Sequence, residues 1–213
     1  MRLLGFALLA GLSAAASAGT IVRWDFEGDV TTPSVGSGTA SLVGGTTASF
    51  ATGFGGGRGW NTTSYPAQGT NDRKAGVEFR VDLSGYRSIV VSWDHRHSNT
   101  SANTVSFQYT LDGLNWTEAA TFVADAGDTW FSRSVDLSEI PVGTGDFGFR
   151  ILAAFADSSG YRASRSSSNY ATTGTWRFDN VTVTAEPVPE PATLAAMGVG
   201  LAALGAARRR RRR

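Results

Sequence analysis

Cysteine is absent from the 213 residues, so neither a disulfide nor a thiolate metal site can form. Histidine occurs only at His95 and His97, and the sequence holds neither a His-Glu-x-x-His zinc motif nor a Gly-x-Ser-x-Gly nucleophile elbow. In a strand His95 and His97 would share one face, the spacing of a two-histidine metal pair, but no third ligand is identifiable beside them. Helical periodicity is nearly missing, and no internal repeat supports a propeller. A basic surface is missing as well. The formal charge of +1 comes from the chain ends, because residues 19–185 carry twelve basic against sixteen acidic side chains, a net charge of about −4. Nucleic-acid binding needs a concentrated positive patch, and the body has none.

Alternation takes the place of helical periodicity. Ile89, Val91 and Trp93 share one parity, as do Val105, Phe107, Tyr109 and Leu111, and then Phe147, Phe149 and Ile151. Such segments, bounded by Gly, Asp and Ser clusters, read as half-buried antiparallel strands. Strands are expected near 21–27, 39–43, 47–51, 58–64, 75–82, 87–96, 103–111, 116–122, 129–136, 146–156 and 175–184. Many short strands with frequent turns predict an all-β, jelly-roll-like antiparallel β-sandwich with its first and last strands adjacent. Asp112-Gly113, between Leu111 and Trp116, marks a hairpin, since glycine accepts a positive φ. Gly53-Phe54-Gly55-Gly56-Gly57-Arg58-Gly59 lacks the Gly-Lys-Ser/Thr ending of a phosphate loop and reads as a flexible connector. Asp157–Thr173 is the longest polar connection, the sort of segment that carries binding at the end of a sandwich.

Both chain ends are directed at a membrane. Met1-Arg2, the apolar stretch Leu3–Leu12 and Ala16-Ser17-Ala18 form a secretory signal peptide over residues 1–18. Residues 186–213 combine Pro189-Glu190-Pro191, an apolar run over Leu194–Ala207, and arginines from Arg208 to Arg213. The run is 14 residues long, and nine of them are Ala or Gly. It falls short of the roughly 20 residues that cross a bilayer comfortably. A short hydrophobic helix here would be a marginal, temporary anchor, oriented by Arg208, Arg209, Arg210 and the arginines beyond. The three parts in this order resemble the PEP-CTERM sorting signal of Gram-negative bacteria. That resemblance implies recognition by the transpeptidase-like exosortase, an inner-membrane-anchored intermediate, and delivery to the cell surface or extracellular matrix. The β-sandwich domain then occupies residues 19–185.

The body yields weaker chemical signals. Asp25, Glu27, Asp94, Asp146 and Asp179 are carboxylates available for glycoside hydrolysis, yet no spacing singles out an acid and a base. The segment from Trp176 to Val183 looks like the final strand of galactose-binding-like and carbohydrate-binding jelly rolls. By that resemblance Glu27 and Asp179 would hold a structural Ca²⁺, although no cofactor is required, and a bulge is expected near Asp179-Asn180. Most tryptophans fall in strand alternation and are expected in the core. Trp60 and Tyr65 flank an irregular polar segment and are expected to be exposed for stacking on sugar rings, with Tyr161 and Tyr170 as second choices. The sequence therefore predicts a non-enzymatic surface or matrix protein that binds exopolysaccharide. A purely structural matrix protein is the alternative, and a glycan-active hydrolase ranks third.

Overall fold

The computed structural model describes residues 17–141, 143 and 145–188. The signal peptide up to Ala16, expected as an N-terminal helix, lies outside the described residues, as do the Pro189-Glu190-Pro191 motif, the apolar run expected as a short C-terminal helix, and the arginine cluster. Among the described residues no helix occurs, and none is long and apolar enough to cross a membrane.

Eleven strands form where alternation places them: β1 (Gly19–Trp24), β2 (Thr39–Val43), β3 (Thr47–Thr52), β4 (Arg58–Thr63), β5 (Gly76–Val81), β6 (Tyr86–His97), β7 (Thr104–Thr110), β8 (Thr117–Val123), β9 (Thr129–Leu137), β10 (Phe147–Ala154) and β11 (Trp176–Pro187). The first ends sooner than expected because Phe26 and Gly28 take positive φ values of 56° and 76°. Those angles turn the chain out of the extended conformation. One sheet has the order β3-β4-β11-β6-β9, with β1 also paired to β11, and the other has the order β2-β5-β10-β7-β8. Every pairing is antiparallel. The adjacency of first and last strands is thus realised, β1 lying along Val181–Ala185 of β11.

Inward parity fills the space between the sheets with rings. Trp93, Phe107, Phe149 and Phe79 form a continuous stack, with centroid separations of 5.4, 5.7 and 4.9 Å and interplanar angles of 17°, 16° and 14°. Each such pair adds about 0.5–1.5 kcal/mol beyond its buried area. Trp24 leans on Phe79 at 4.9 Å. With no disulfide to restrict the unfolded chain, this packing carries the stability of the domain.

His95 and His97 continue the inward row of β6 and are fully buried. Their rings lie 4.1 Å apart, and His95 stacks on Phe178 at 4.6 Å. His97 Nδ1 lies 3.0 Å from the carbonyl of Ala102, to which it donates. His97 Nε2 and both nitrogens of His95 have no partner. Burial holds His97 down at about pKa 3, opposed by the Ala102 bond and aided by the nearby Arg133. Burial, then His97 and Arg133, keeps His95 well below its ordinary 6.5. Both imidazoles are therefore neutral in the folded core, and unfolding in mild acid takes up two protons. The stability tied to this pair is complete above the unfolded value of 6.5 and is lost as pH falls below it. Each proton contributes a slope of about 1.4 kcal/mol per pH unit. Denaturant titrations should show unfolding free energy dropping steeply from pH 7 to 5. A His95→Phe/His97→Phe variant, which keeps the rings and removes the titration, should show a distinctly shallower fall.

Candidate functional site

The outer face of the five-stranded sheet carries an unbroken polar row. Ser41, Glu78, Arg150, Gln108 and Glu118 stand opposite one another across β2, β5, β10, β7 and β8. At about 4.8 Å per strand the row spans about 19 Å. Arg80 and Gly148 belong to the next row. A Cβ on Gly148 would come within 2.8 Å of Arg80 Cδ. Glycine there lets Arg80 lie across the sheet, where its Nη2 donates to the carbonyl of Gly113 at 3.2 Å.

The row is electrostatically fixed. Arg80 Nε and Arg150 Nε donate to the two oxygens of Glu78 at 2.6 and 2.7 Å. Burial disfavours the charge on Glu78, but the two guanidinium bonds outweigh it and hold the carboxyl below its usual range. Burial likewise opposes ionisation of Glu118, and bonds from Ser106 and Arg73 overcome it. Over these groups lies the half-buried indole of Trp116, with Arg150 Cζ 3.7 Å and Arg80 Cζ 5.0 Å from the ring centroid. The Asp112-Gly113 turn delivers it. Gly113 has φ 74°, and Asp112 Oδ1 accepts the N–H groups of Leu114 and Asn115 at 2.9 and 2.8 Å. An indole set above a rigid band of guanidinium, carboxylate and amide groups presents an apolar ring beside many hydrogen-bonding partners.

The residues expected as stacking platforms are placed differently. Trp60 is only 3% exposed and stacks on Phe26 at 5.7 Å. It backs an open cleft of about 510 Å³ that Asp29, Leu42 and Phe50 also line. Tyr65 is 4% exposed, lies 5.0 Å from Trp176 and shares a 2.6 Å hydrogen bond with Thr62. Tyr161 is 3% exposed, donates to the carbonyls of Thr70 and Asn71, and is pushed up by burial to about pKa 12. The expected exposure of these three is thereby corrected. Their rings complete the core and its loop extensions, and the tyrosine hydroxyls are consumed in tying segments together. Tyr170 is half-buried, stacks on Tyr161 at 4.7 Å and donates to Pro66 O. The two tyrosines line a hollow of about 310 Å³ with Gln68, Arg162 and Asn169. Core placement is also corrected for Trp116 and Trp130, which stand on outer faces, while Trp24, Trp93 and Trp176 are buried as expected.

Glu27 and Asp179 meet at the glycine-rich loop. Asp179 Oδ2 accepts the N–H of Phe54 at 2.7 Å, and Glu27 Oε1 accepts that of Arg58 at 2.9 Å. A Cβ on Gly53 would strike Asp179, and one on Gly57 would strike Glu27. The two acids thus pin both ends of the connector that the sequence reads as flexible. Among the described residues no group of three or more His, Cys, Asp or Glu side chains could hold a metal ion.

Residues 187–212 match the PEP-CTERM protein-sorting motif. No curated protein matches the chain. Among solved structures it is similar to the CBM22-1–GH10 modules of endo-1,4-β-D-xylanase 10B from Clostridium thermocellum, complexed with xylohexaose, at 15% identity and a TM-score of 0.54, covering 80% of this chain and 29% of that one. It is also similar to the CBM22-1–CBM22-2 tandem of Xyn10C from Paenibacillus barcinonensis, at 14% identity and a TM-score of 0.50, covering 85% of this chain and 50% of that one. At these identities the likeness is one of fold. The chain thus carries a sorting tail of exported proteins after a sandwich shared with carbohydrate-binding modules.

Asp179 has a measurable signature. Burial above all, then the neighbouring Asp94 and Glu27, raises it from 3.8 to about 6 against the pull of two backbone N–H bonds. A raised carboxyl favours the protonated folded state. Its contribution is complete below pH 3.8 and disappears as pH rises through 6. The stability advantage of wild type over Asp179→Asn should therefore shrink between pH 4 and 7, measured by paired denaturant titrations.

Proposed function

We propose that the protein is an exported, exosortase-sorted component of the cell surface or extracellular matrix, and that its sandwich binds polysaccharide without turning it over. The observation that carries this reading is the Glu78–Arg150–Gln108–Glu118 row beneath Trp116. A polysaccharide offers apolar ring faces and a periphery of hydroxyls, and this surface offers their complements already locked in place. Preorganisation matters because binding then costs little side-chain ordering. That the similar structures contain CBM22 modules supports a β-sandwich of this kind as a glycan scaffold.

The same face argues against hydrolysis. Glycosidases need a carboxylic acid whose pKa is raised beside a second ionised carboxylate. Glu78 and Glu118 are both held down by arginines. Asp179 is raised, but it is 3% exposed and spends both oxygens on backbone N–H groups.

In this reading residues 1–18 direct export, residues 19–185 form the binding domain and residues 186–213 the sorting tail. Exosortase recognises Pro189, Glu190 and Pro191 while the apolar run and Arg208–Arg210 hold the precursor in the inner membrane. Calcium bridging Glu27 and Asp179 would be an accessory to this fold, tying the segment after β1 to β11 through oxygen ligands. It would keep Asp179 ionised, so the Asp179→Asn comparison repeated in calcium reads it directly. An unchanged pH trend removes the ion from the proposal.

Affinity electrophoresis and calorimetry with xylohexaose, xylan and the host's own exopolysaccharide test the binding face. Trp116→Ala and Arg150→Ala should each weaken binding by about tenfold or more while leaving the fold intact. Absence of binding to every polysaccharide would favour a purely structural matrix protein. For the tail, replacing Pro189, Glu190 and Pro191 together with alanine should trap unprocessed precursor in the inner membrane. Unaltered processing would remove exosortase from the account.

A further inference from the structure

The opposite sheet has its own row with a different chemistry. On the outer face of β4, β11, β6 and β9, Asn61, Arg177, Arg96 and Trp130 stand side by side. Two arginines directly across a strand pair are an unfavourable choice, since like charges there are about 5 Å apart at Cβ and repel. Arg96 has one counter-charge, donating from Nη2 to Asp128 at 2.7 Å. Arg177 forms no ion pair among the described residues, and Asp128 attracts it only at a distance. It donates instead to neutral oxygens, from Nε to Asn61 Oδ1 at 3.2 Å and from Nη1 to Thr52 O at 2.7 Å. Burial first, then Arg96 and Arg58, lowers the pKa of Arg177. Its Nη2 and the Nη1 of Arg96 have no protein partner among the described residues.

Aromatic rings border these free donors. Trp130 is next to Arg96 in the row. The loop pinned by Asp179 swings Phe54 over the sheet until its ring lies 5.7 Å from Trp130 at 70°. Phe54 is 45% exposed, although nothing in the core requires it there. The row spans about 14 Å across four strands. Asp94 and Asp179, the acids of the adjoining row, are occupied. Asp94 accepts from Ser132 and Asn180, and Asp179 accepts from the N–H groups of Phe54 and Asn180.

We propose that this face is a second binding site, selective for acidic polysaccharide: a sugar carboxylate sits between Arg177 and Arg96 while its ring, or the next one along, lies against Trp130 and Phe54. A guanidinium pair with unspent N–H donors matches the planar carboxylate, and the aromatic wall separates a charged sugar from a bare inorganic anion. The net charge of about −4 on residues 19–185 repels polyanions in general. Attraction must therefore be local to the two arginines. The site goes beyond the polysaccharide face proposed at Trp116 and stands on a different sheet, so the two can fail separately.

The test is affinity electrophoresis of the purified protein in gels containing polygalacturonate, uncharged dextran or dextran sulfate, over a range of salt. Wild type should be retarded by polygalacturonate and not by uncharged dextran, and the retardation should fade as the Debye length drops from about 10 Å at 0.1 M to about 3 Å at 1 M salt. Arg177→Gln, whose amide nitrogen sits near the place of Nε and can still donate to Asn61, should weaken it about tenfold, as should Trp130→Ala. Trp116→Ala and Arg150→Ala should leave it unchanged, and the melting temperature of Arg177→Gln should confirm an intact fold. No retardation by polygalacturonate, equal retardation of wild type and a folded Arg177→Gln, or retardation by dextran sulfate alone would each overturn the proposal.

Discussion

Everything in the larger sheet depends on threading β11 into a slot whose walls are made much earlier in the chain. The strand takes β6 along one edge and shares its other edge between β4, at Trp176–Phe178, and β1, at Val181–Ala185. Such pairing closes long loops before it returns any contact energy, which makes it entropically demanding. The register also cannot be uniform. Trp176 and Phe178 point inward, and so do Val181, Val183 and Ala185, which differ from them in parity. A bulge resolves the conflict. The ladder with β6 breaks between Asp179 and Thr182, and Asn180 takes φ 50°. Without it a one-residue slip would turn either the aromatic half or the aliphatic half of β11 out to solvent.

That bulge also organises the surface. Asn180 donates to Asp94 on β6 and accepts from Arg23 on β1, so one amide ties three strands where the ladder is interrupted. Asp179 beside it captures the loop that carries Phe54. A strain-relieving irregularity in the core thus becomes the anchor of an aromatic wall outside. The other sheet has no comparable break on its outer face, apart from the shift between Phe107 and Gln108. Its row remains regular, and its acids are matched by arginines one for one or better. The ring stack from Trp93 to Phe79 separates the two faces. Each can therefore carry its own ligand chemistry without electrostatic compromise from the other.

How much of this could be read from sequence follows from what alternation encodes. Period two reports which residues share a face, so all eleven strands, the β1–β11 adjacency and the bulge at Asp179-Asn180 were accessible. It does not say which sheet a strand joins, and so the cross-strand rows were invisible: Glu78 meets Arg150, and Arg177 meets Arg96, only after pairing. Trp116 and Trp130 resembled core residues because composition alone cannot distinguish an inward indole from an outward one beside arginines. Tyr65 and Tyr161 misled for the opposite reason. Their polar surroundings in sequence suggested exposure, whereas in the fold a tyrosine can bury its ring and spend its hydroxyl on a carbonyl. A signal for the face proposed to bind glycan did exist, in the outward parity of Glu78, Arg80, Arg150 and Gln108, but those charges read equally well as an ordinary solvated surface.

An exported domain without disulfides must also keep its open edges from pairing with other copies. β9 ends the larger sheet and β8 the smaller, so both present unpaired backbone on the same flank. Arg133 answers this from inside. It points inward from the edge strand, with its Cζ 4.7 Å from the Phe131 ring and 5.1 Å from that of Phe122, and donates across the gap to the carbonyl of Val123 at 3.0 Å. An inward-pointing charge on an edge strand is costly to bury again inside a second sheet, so edge-to-edge association is disfavoured. The cost is visible in its buried, unpartnered Nε and in a pKa lowered by burial. The nearby imidazoles share that cost, because the guanidinium helps keep His95 and His97 neutral. Burial of the imidazoles supplies most of the sensitivity to acid and the inward arginine adds to it, so a variant that relieved the histidines in part by removing Arg133 would reopen the flank.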